Sequence, residues 1–348
     1  MWFSGSLGHT RGAWEHEEAY VRIAVLTSGG DAPGMNAAVR AVARTAFSRR
    51  WEVVGIEAGY QGLVEGRFKR LDNRGVGGIL QRGGTVLGTA RSTEFVTPEG
   101  QELAASRLEK AGVEGLVVIG GEGSLTGALR LEERGVKMVG LPATIDNDVW
   151  GTDTAIGVDT ALNTALEAID RIKDTASSHQ RAHVIEVMGR RCGYLALMSG
   201  IAGGAEVVSV PEFEAKPQEI MRAFRKSWEQ DKPHFIVVVA EGAPLSAEDI
   251  HKYINDTEGA FESRLTVLGH VQRGGSPTAF DRLLASRVGT SAVRALSEAQ
   301  SGIMIGLEGR RTRYIPLKEV VGQIRPLDAD IYEMAEVLAG FPEEISYL

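Results

Sequence analysis

Asp146 and Asp148 are separated by one residue in the run TIDND at 144–148, and a third acid, Glu122, lies in the glycine turn GGEGS at 120–124. A hydroxyl nucleophile must lose a proton, and a polyphosphate must be held by a divalent cation. A base carboxylate beside metal-orienting carboxylates is therefore the equipment of phosphoryl transfer. The pattern points to a kinase, with Asp146 and Asp148 merely capping a turn as the bland alternative.

Two glycine turns support the sharper reading. TSGGDAPGMNAAVR at 27–40 offers unhindered amides at Gly29 and Gly30 with a helix amino terminus behind them, a ready site for phosphate oxygens. It is neither a P-loop nor GxGxxG, and taken alone a purely structural turn fits equally well. IGGEGSLTGA at 119–128 repeats the logic and adds Glu122.

These turns need strands and helices to hold them. Short apolar runs ending at glycine and followed by alanine-rich stretches predict parallel strands joined by crossover helices. Strands are expected at 22–27, 53–57, 115–119, 137–141, 183–187, 206–210 and 234–240. Helices are expected at 34–49, 124–134, 157–173, 193–200, 217–229 and 276–297. Every motif falls at the carboxyl end of a strand, where open parallel sheets bind ligands.

Composition sets the frame. A chain of 348 residues exceeds what one core usually supports, so two domains are expected. The 38 basic and 46 acidic residues leave a net charge of −8, which argues against general nucleic-acid or membrane-surface binding. Anionic ligands then need local clusters of cations. The single cysteine, Cys192, allows no intrachain disulfide and fits a reducing cytoplasm. No apolar run has the length of a membrane span. Residues 1–20 have no apolar segment of the secretory kind and are expected to form a flexible extension.

The motifs TSGGDAPGMN, QRGGTVLGTAR, IGGEGS, PATIDND, SSHQR, EVMGRRCGYLAL, IAGGAE and LGHVQRGGSP resemble, in order and spacing, the phosphofructokinase family. The resemblance runs from about Arg22 past Arg287. It implies two doubly wound three-layer α/β/α domains, mainly parallel, with an active-site cleft between them. Residues 21–157 plus 272–322 would form the nucleotide domain, and 158–271 plus 323–348 the fructose 6-phosphate domain. The implied reaction is transfer of a phosphoryl group to the 1-hydroxyl of fructose 6-phosphate, with magnesium and either ATP or pyrophosphate.

Carried over by position, Asp146 is the general base. Asp148 assists it and positions magnesium with Glu122, and Thr144 and Arg190 contact the transferring group. ATP would meet Gly30, Arg91, Ser92, Glu122, Gly123, Ser124 and Gly127. The sugar phosphate would meet Thr144, Asp146, Arg181, Met188, Gly189, Arg190, Glu241, Arg264, His270 and Arg273. Arg181 and Arg264 reach across from a neighbouring subunit in the family, which implies a homotetramer, a dimer of dimers. Family members most often carry Asp where this chain has Glu122, which moves the carboxylate by roughly one methylene.

Pyrophosphate users typically carry Asp and Lys where this chain has Gly123 and Ala143, so ATP is favoured. Ser92 and Val96 replace an aromatic and a basic residue of familiar bacterial ATP users, which keeps another nucleoside triphosphate open. Arg40, Arg44, Gly204, Glu206, Lys232 and His234 match the bacterial effector site for ADP or phosphoenolpyruvate, while Asn73, Gln230 and Lys173 depart from it. Two other readings stand beside the main one. NAD or lipid kinases share GGDG-like turns but lack EVMGR and GHVQRGG. A regulatory, sugar-phosphate-binding paralogue would suit Glu122 but not the retained Asp146, Asp148 and Arg190.

Overall fold

Uninterrupted apolar runs become the centres of two parallel sheets. The computed structural model describes residues 21–179, 181–213, 215–257 and 262–340. The expected extension at 1–20, and positions 341–348 at the end of the second expected domain, lie outside the described residues. In chain order the first elements are β1 (Arg22–Ser28), α1 (Met35–Ser48), β2 (Glu52–Ile56), α2 (Gly59–Glu65), β3 (Phe68–Leu71), α3 (Pro98–Lys110), β4 (Gly115–Gly120), α4 (Glu122–Glu132), β5 (Met138–Pro142) and α5 (Val158–His179). Then follow β6 (Ala182–Val187), α6 (Tyr194–Gly203), β7 (Val207–Ser209), α7 (Pro217–Glu229), β8 (Phe235–Ala240), α8 (Ala247–Asp256) and β9 (Ser263–Val267). A 3-10 turn at Gly269–Arg273 leads to α9 (Ala279–Ser297), β10 (Ile303–Glu308), β11 (Arg311–Pro316), α10 (Leu317–Val320) and α11 (Ala329–Ala339).

The first sheet has seven strands in the order β11-β10-β5-β4-β1-β2-β3, and the second has four in the order β7-β8-β6-β9. All pairings in the second sheet are parallel, and the first is parallel except at its edges, β3 and β11. Alternate residues of each strand serve opposite layers. On the larger sheet Ile23, Val25 and Val53 pack with α1 and α9, whereas Ala24, Leu26, Val54 and Ile56 pack with α2, α3 and α4. On the smaller sheet Ile185, Val187 and Val238 join the layer of α5 and α6, while Val184, Val237 and Val239 face α7 and α8. This is the expected pair of three-layer α/β/α units.

The expected strands and helices all form, with ends shifted by a few residues; the helix expected to stop at 173 continues to His179 as α5. Elements absent from the sequence reading include polar edge strands and short helices, but also the apolar strand β10 (IMIGLE) and the longer helices α3 and α11. β3 and β11 read FKRL and RTRYIP, edge strands whose charges discourage further pairing. Lys69 and Arg70 pair with Glu57 and Glu52 at 3.2 and 3.3 Å. α3 had a visible start: the Thr97 hydroxyl accepts from the Gly100 amide, followed by Pro98 at the first helical position.

Helices α1 and α9 approach closely because Gly289 faces α1, where a Cβ would meet Ala41 Cβ at 2.8 Å and Ala38 O at 3.0 Å. α9 is tied to α5 by Asp281, which is fully buried and accepts from Gly157 N, Thr160 N and Thr160 Oγ1 at 2.9, 2.8 and 2.6 Å. Burial raises the Asp281 pKa against those hydrogen bonds. Among the described residues no helix is long and apolar enough to cross a membrane.

Candidate active site

In the larger sheet β1 pairs with β2 on one side and β4 on the other. The chain order reverses between β1 and β4, and the crevice at such a point is the usual ligand position in an open α/β sheet. Gly29 and Gly30 follow β1, and Gly121 and Glu122 follow β4 into α4. Both turns line one cleft of about 980 Å³.

The loop after β5 supplies the carboxylates. Asp146 and Asn147 are buried, and Asn147 has a φ of 54°, in the left-handed region that few residues other than glycine adopt. That turn lets two aspartates one residue apart both border the cleft. The Thr144 hydroxyl accepts from the Asp146 amide at 3.1 Å. Asp146 Oδ1 and Asp148 Oδ1 are buried without hydrogen-bond partners, so each retains an unused acceptor.

From the smaller sheet, the ends of β6 and β9 bring cations. Arg190 Nε lies 3.5 Å from Asp146 Oδ2, and Arg273 Nη2 lies 3.8 Å from Asp146 Oδ1. Arg190 also has a positive φ, 53°, and its amide donates to Glu241 Oε1 at 2.6 Å. Glu241 at the end of β8 thus braces the turn that presents the guanidinium. Arg273 Nη1 donates to the Asp31 carbonyl at 3.3 Å, tying the 3-10 turn to the glycine turn after β1.

Burial and the neighbouring Asp148 push the Asp146 pKa up to about 6, against Arg273 and Arg190, which lower it. Burial also raises Asp148; its own amide and Arg190 oppose the shift, and Glu122 adds to it. Glu122 Oε1 accepts from the Thr126 hydroxyl at 3.0 Å within α4. Among the described residues no group of three or more His, Cys, Asp or Glu side chains could hold a metal ion. Glu122 and Asp148 are nevertheless two acids on one cleft, and magnesium commonly takes only one or two protein carboxylates beside substrate phosphates.

Of the residues singled out from the sequence, Gly30, Arg91, Ser92, Glu122, Gly123, Ser124, Gly127, Thr144, Asp146, Asp148, Arg190, His270 and Arg273 all line this cleft. Met188, Gly189 and Glu241 do not line it: Met188 N donates to Gln272 Oε1 at 2.9 Å, and Gly189 N to Glu241 Oε1 at 3.4 Å, the carboxylate that also holds the Arg190 amide. Arg181 and Arg264 do not line it. They lie at β6 and β9, joined through Glu262 at 2.9 and 2.5 Å.

The residues matched to an effector site fall on different sheets. Arg40 and Arg44 are on α1, with Arg44 donating to Asn73 Oδ1 at 2.7 Å. Glu206, Lys232 and His234 lie beside β8; Lys232 is 3.4 Å from Glu206, and His234 Nδ1 is 2.9 Å from Ser177 Oγ. Gly204 accepts from Lys173 Nζ at 3.4 Å.

Sequence reasoning missed several parts of the cleft. Tyr60 and Phe95 stack at 4.0 Å against Gly127, and the Tyr60 hydroxyl donates to Ser124 O at 2.6 Å. Gln272 is fully buried and holds Met188, although GHVQR had placed it in view. Cys192 is buried nearby, and burial pushes its thiol up to about 11, which makes it a poor nucleophile.

Two parallel sheets whose carboxyl ends combine phosphate-cradling glycine turns, paired carboxylates and guanidinium groups define an α/β protein of the kinase class. The phosphofructokinase family model matches residues 22–296, and the chain belongs to that family. ATP-dependent 6-phosphofructokinase 1 of Thermus thermophilus is 53% identical over 320 residues, 91% of this chain and 99% of that protein. ATP-dependent 6-phosphofructokinase of Thermotoga neapolitana is 51% identical over 319 residues, with the same coverage. The crystal structure of Pichia pastoris phosphofructokinase in the T-state aligns with a TM-score of 0.84 and 39% identity, covering 93% of this chain; this chain spans 37% of the yeast chain.

Proposed function

We propose that the chain is an ATP-dependent 6-phosphofructokinase, transferring the γ-phosphoryl of ATP to the 1-hydroxyl of D-fructose 6-phosphate to give fructose 1,6-bisphosphate and ADP, a step of glycolysis. The observation that carries this reading is a buried Asp146 carboxylate with an oxygen that has no hydrogen-bond partner, held between Arg190 and Arg273 on a cleft lined by two glycine turns. About half-identical relatives bearing that activity in their names support it.

In this mechanism the 1-hydroxyl donates its proton to Asp146 as its oxygen attacks the γ-phosphorus, and the bond to the β-phosphate bridging oxygen breaks to release ADP. Arg190 and Arg91 neutralise charge on the equatorial oxygens, Thr144 hydrogen-bonds the same region, and the amides of the two glycine turns hold the remaining phosphates. The sugar 6-phosphate would be held by His270 and Arg273, together with Arg181 and Arg264 of an adjoining subunit, and Glu241 would accept from sugar hydroxyls. Glu122 and Asp148 would hold magnesium, which offsets phosphate charge when bound.

Residues 21–157 plus 272–322 form the nucleotide domain in this reading, and 158–271 plus 323–348 the sugar-phosphate domain. The enzyme is a cytoplasmic homotetramer with an effector site for ADP or phosphoenolpyruvate built from Arg40, Arg44, Gly204, Glu206, Lys232 and His234.

Pyrophosphate or a different nucleoside triphosphate is the second reading of the donor, because Val96 presents no cation at the cleft mouth and is 76% exposed. An assay coupled to fructose 1,6-bisphosphate, with magnesium and ATP, GTP or pyrophosphate in turn, tests both. Turnover is expected with ATP. Pyrophosphate-only turnover would replace the donor, and sugar-phosphate binding without turnover on any donor would select a regulatory paralogue.

A further inference from the structure

Asn147 sits between the two carboxylates with a φ of 54°, in the left-handed region, where its surroundings hold it. Part of that constraint is internal to the loop: Nδ2 donates to Asp153 O at 3.2 Å, and Oδ1 accepts from Ala155 N at 3.1 Å. The rest comes from far along the chain. The Asn147 carbonyl, whose peptide leads into Asp148, accepts from Arg325 Nη1 at 3.2 Å.

Arg325 arrives there because the segment before α11 forms an antiparallel bridge, Ile324 to Val149, at the end of the same loop. Its guanidinium carbon also lies 5.2 Å from the centre of the Tyr194 ring. The Asn147 side chain lies near enough to the Tyr194 phenol to oppose the rise that burial gives its pKa. Tyr194 opens α6, directly after the turn that carries Arg190. A planar guanidinium can donate in its plane and stack through its face at once, which an ammonium cannot do. One side chain therefore fixes both loops whose meeting sets the distance between Asp146 and Arg190.

The geometry points to Arg325 as a positioning residue for phosphoryl transfer: it acts through the Asn147 carbonyl and the Tyr194 ring to hold Asp146 against Arg190, without itself touching substrate. This rests on the reading of Asp146 as the proton acceptor. Small displacements of a reacting group are expensive in rate, up to about a hundredfold for roughly 1 Å. The loss of one tie among several is set at about tenfold on that scale.

The test uses the full chain with ATP, magnesium and fructose 6-phosphate. Arg325→Met is expected to lower kcat by about tenfold while KM for both substrates stays within about twofold. Arg325→Lys is expected to fall between parent and Met, and Tyr194→Leu, which removes the aromatic face, to reduce kcat without raising KM. A structural role alone would reduce the folded fraction and leave kcat per folded site unchanged. Parent-like kcat per folded site in Arg325→Met overturns the inference. Should that variant fail to fold, parent-like kcat in both Arg325→Lys and Tyr194→Leu overturns it equally. Asp146→Asn separates the two levels. If it still turns over, the reading of the base falls; if it is inactive while the Arg325 variants are parent-like, only the positioning inference falls.

Discussion

Arg273 Nη2, from the turn that follows β9, stands 3.8 Å from Asp146 Oδ1 on the loop that follows β5. Arg190 lies at a similar distance from the other carboxylate oxygen, so one buried acid is balanced by two guanidinium groups from the opposite sheet. Such an acid can remain ionised yet hold a proton for the duration of a reaction.

Asp146→Asn keeps the shape and removes the base. Its kcat should fall by at least about a hundredfold, with KM for fructose 6-phosphate within about threefold of parent. Initial rates in the coupled assay measure this, and a parent-like kcat would show that another group takes the proton.

The Asp146 pKa of about 6 gives an acid limb with a definite sign. Protonation on lowering pH through about 6 removes the acceptor, so kcat/KM of the free enzyme should fall there. Arg273 lowers this pKa, so Arg273→Met should move the limb to higher pH. The same shift works against stability in the ligand-free protein. A carboxyl that binds its proton more tightly folded than unfolded contributes stability at low pH and loses it as pH rises through about 6. Denaturant titrations of parent and Asp146→Asn across that window should converge in slope if another group is responsible.

Gly30 touches the same network from the nucleotide side. A Cβ there would lie 2.5 Å from Arg273 Nη1 and 3.1 Å from its Cζ. The obstruction is the far end of a flexible side chain, so Gly30→Ala should fold with a melting temperature near that of parent. Its kcat/KM for fructose 6-phosphate should drop by about tenfold as Arg273 is displaced. A large loss of stability with normal kinetics would contradict this assignment.

Asp281→Ala probes the scaffold instead. It strips the acceptor from two amides and one hydroxyl in a fully buried place. Leaving buried donors unpaired costs about 1–3 kcal/mol each, so a loss of about 3 kcal/mol or more is expected in chemical denaturation. A loss below about 1 kcal/mol would mean that the α5 and α9 termini rearrange freely.

Arg44 donates to Asn73 Oδ1 at 2.7 Å, so part of its hydrogen-bonding capacity is used within the protein. Arg44→Ala should weaken binding of ADP or phosphoenolpyruvate by about tenfold in equilibrium titrations, the scale of one charge-assisted contact. Identical isotherms for parent and variant would remove Arg44 from any effector site.

The sequence by itself determined the parallel strands β1, β4, β5, β6 and β8, because unbroken apolar runs ending at glycine have few other ways to be buried. It also marked the loop carrying Asp146 and Asp148 and the two glycine turns, since adjacent residue types with a shared chemistry are visible locally. The family resemblance had grouped Arg190 and Arg273 with Asp146, but tertiary structure alone decided which oxygen of Asp146 each guanidinium approaches, that Arg181 and Arg264 converge on Glu262 outside that cleft, and that Arg325 reaches back to Asn147. It likewise decided that the charged segments at β3 and β11 become sheet edges and that Asp281 joins two helix ends. These relations depend on closure of the chain across the two sheets. Each residue's neighbours in space are then chosen by packing of the whole core, and no local periodicity or spacing carries that information.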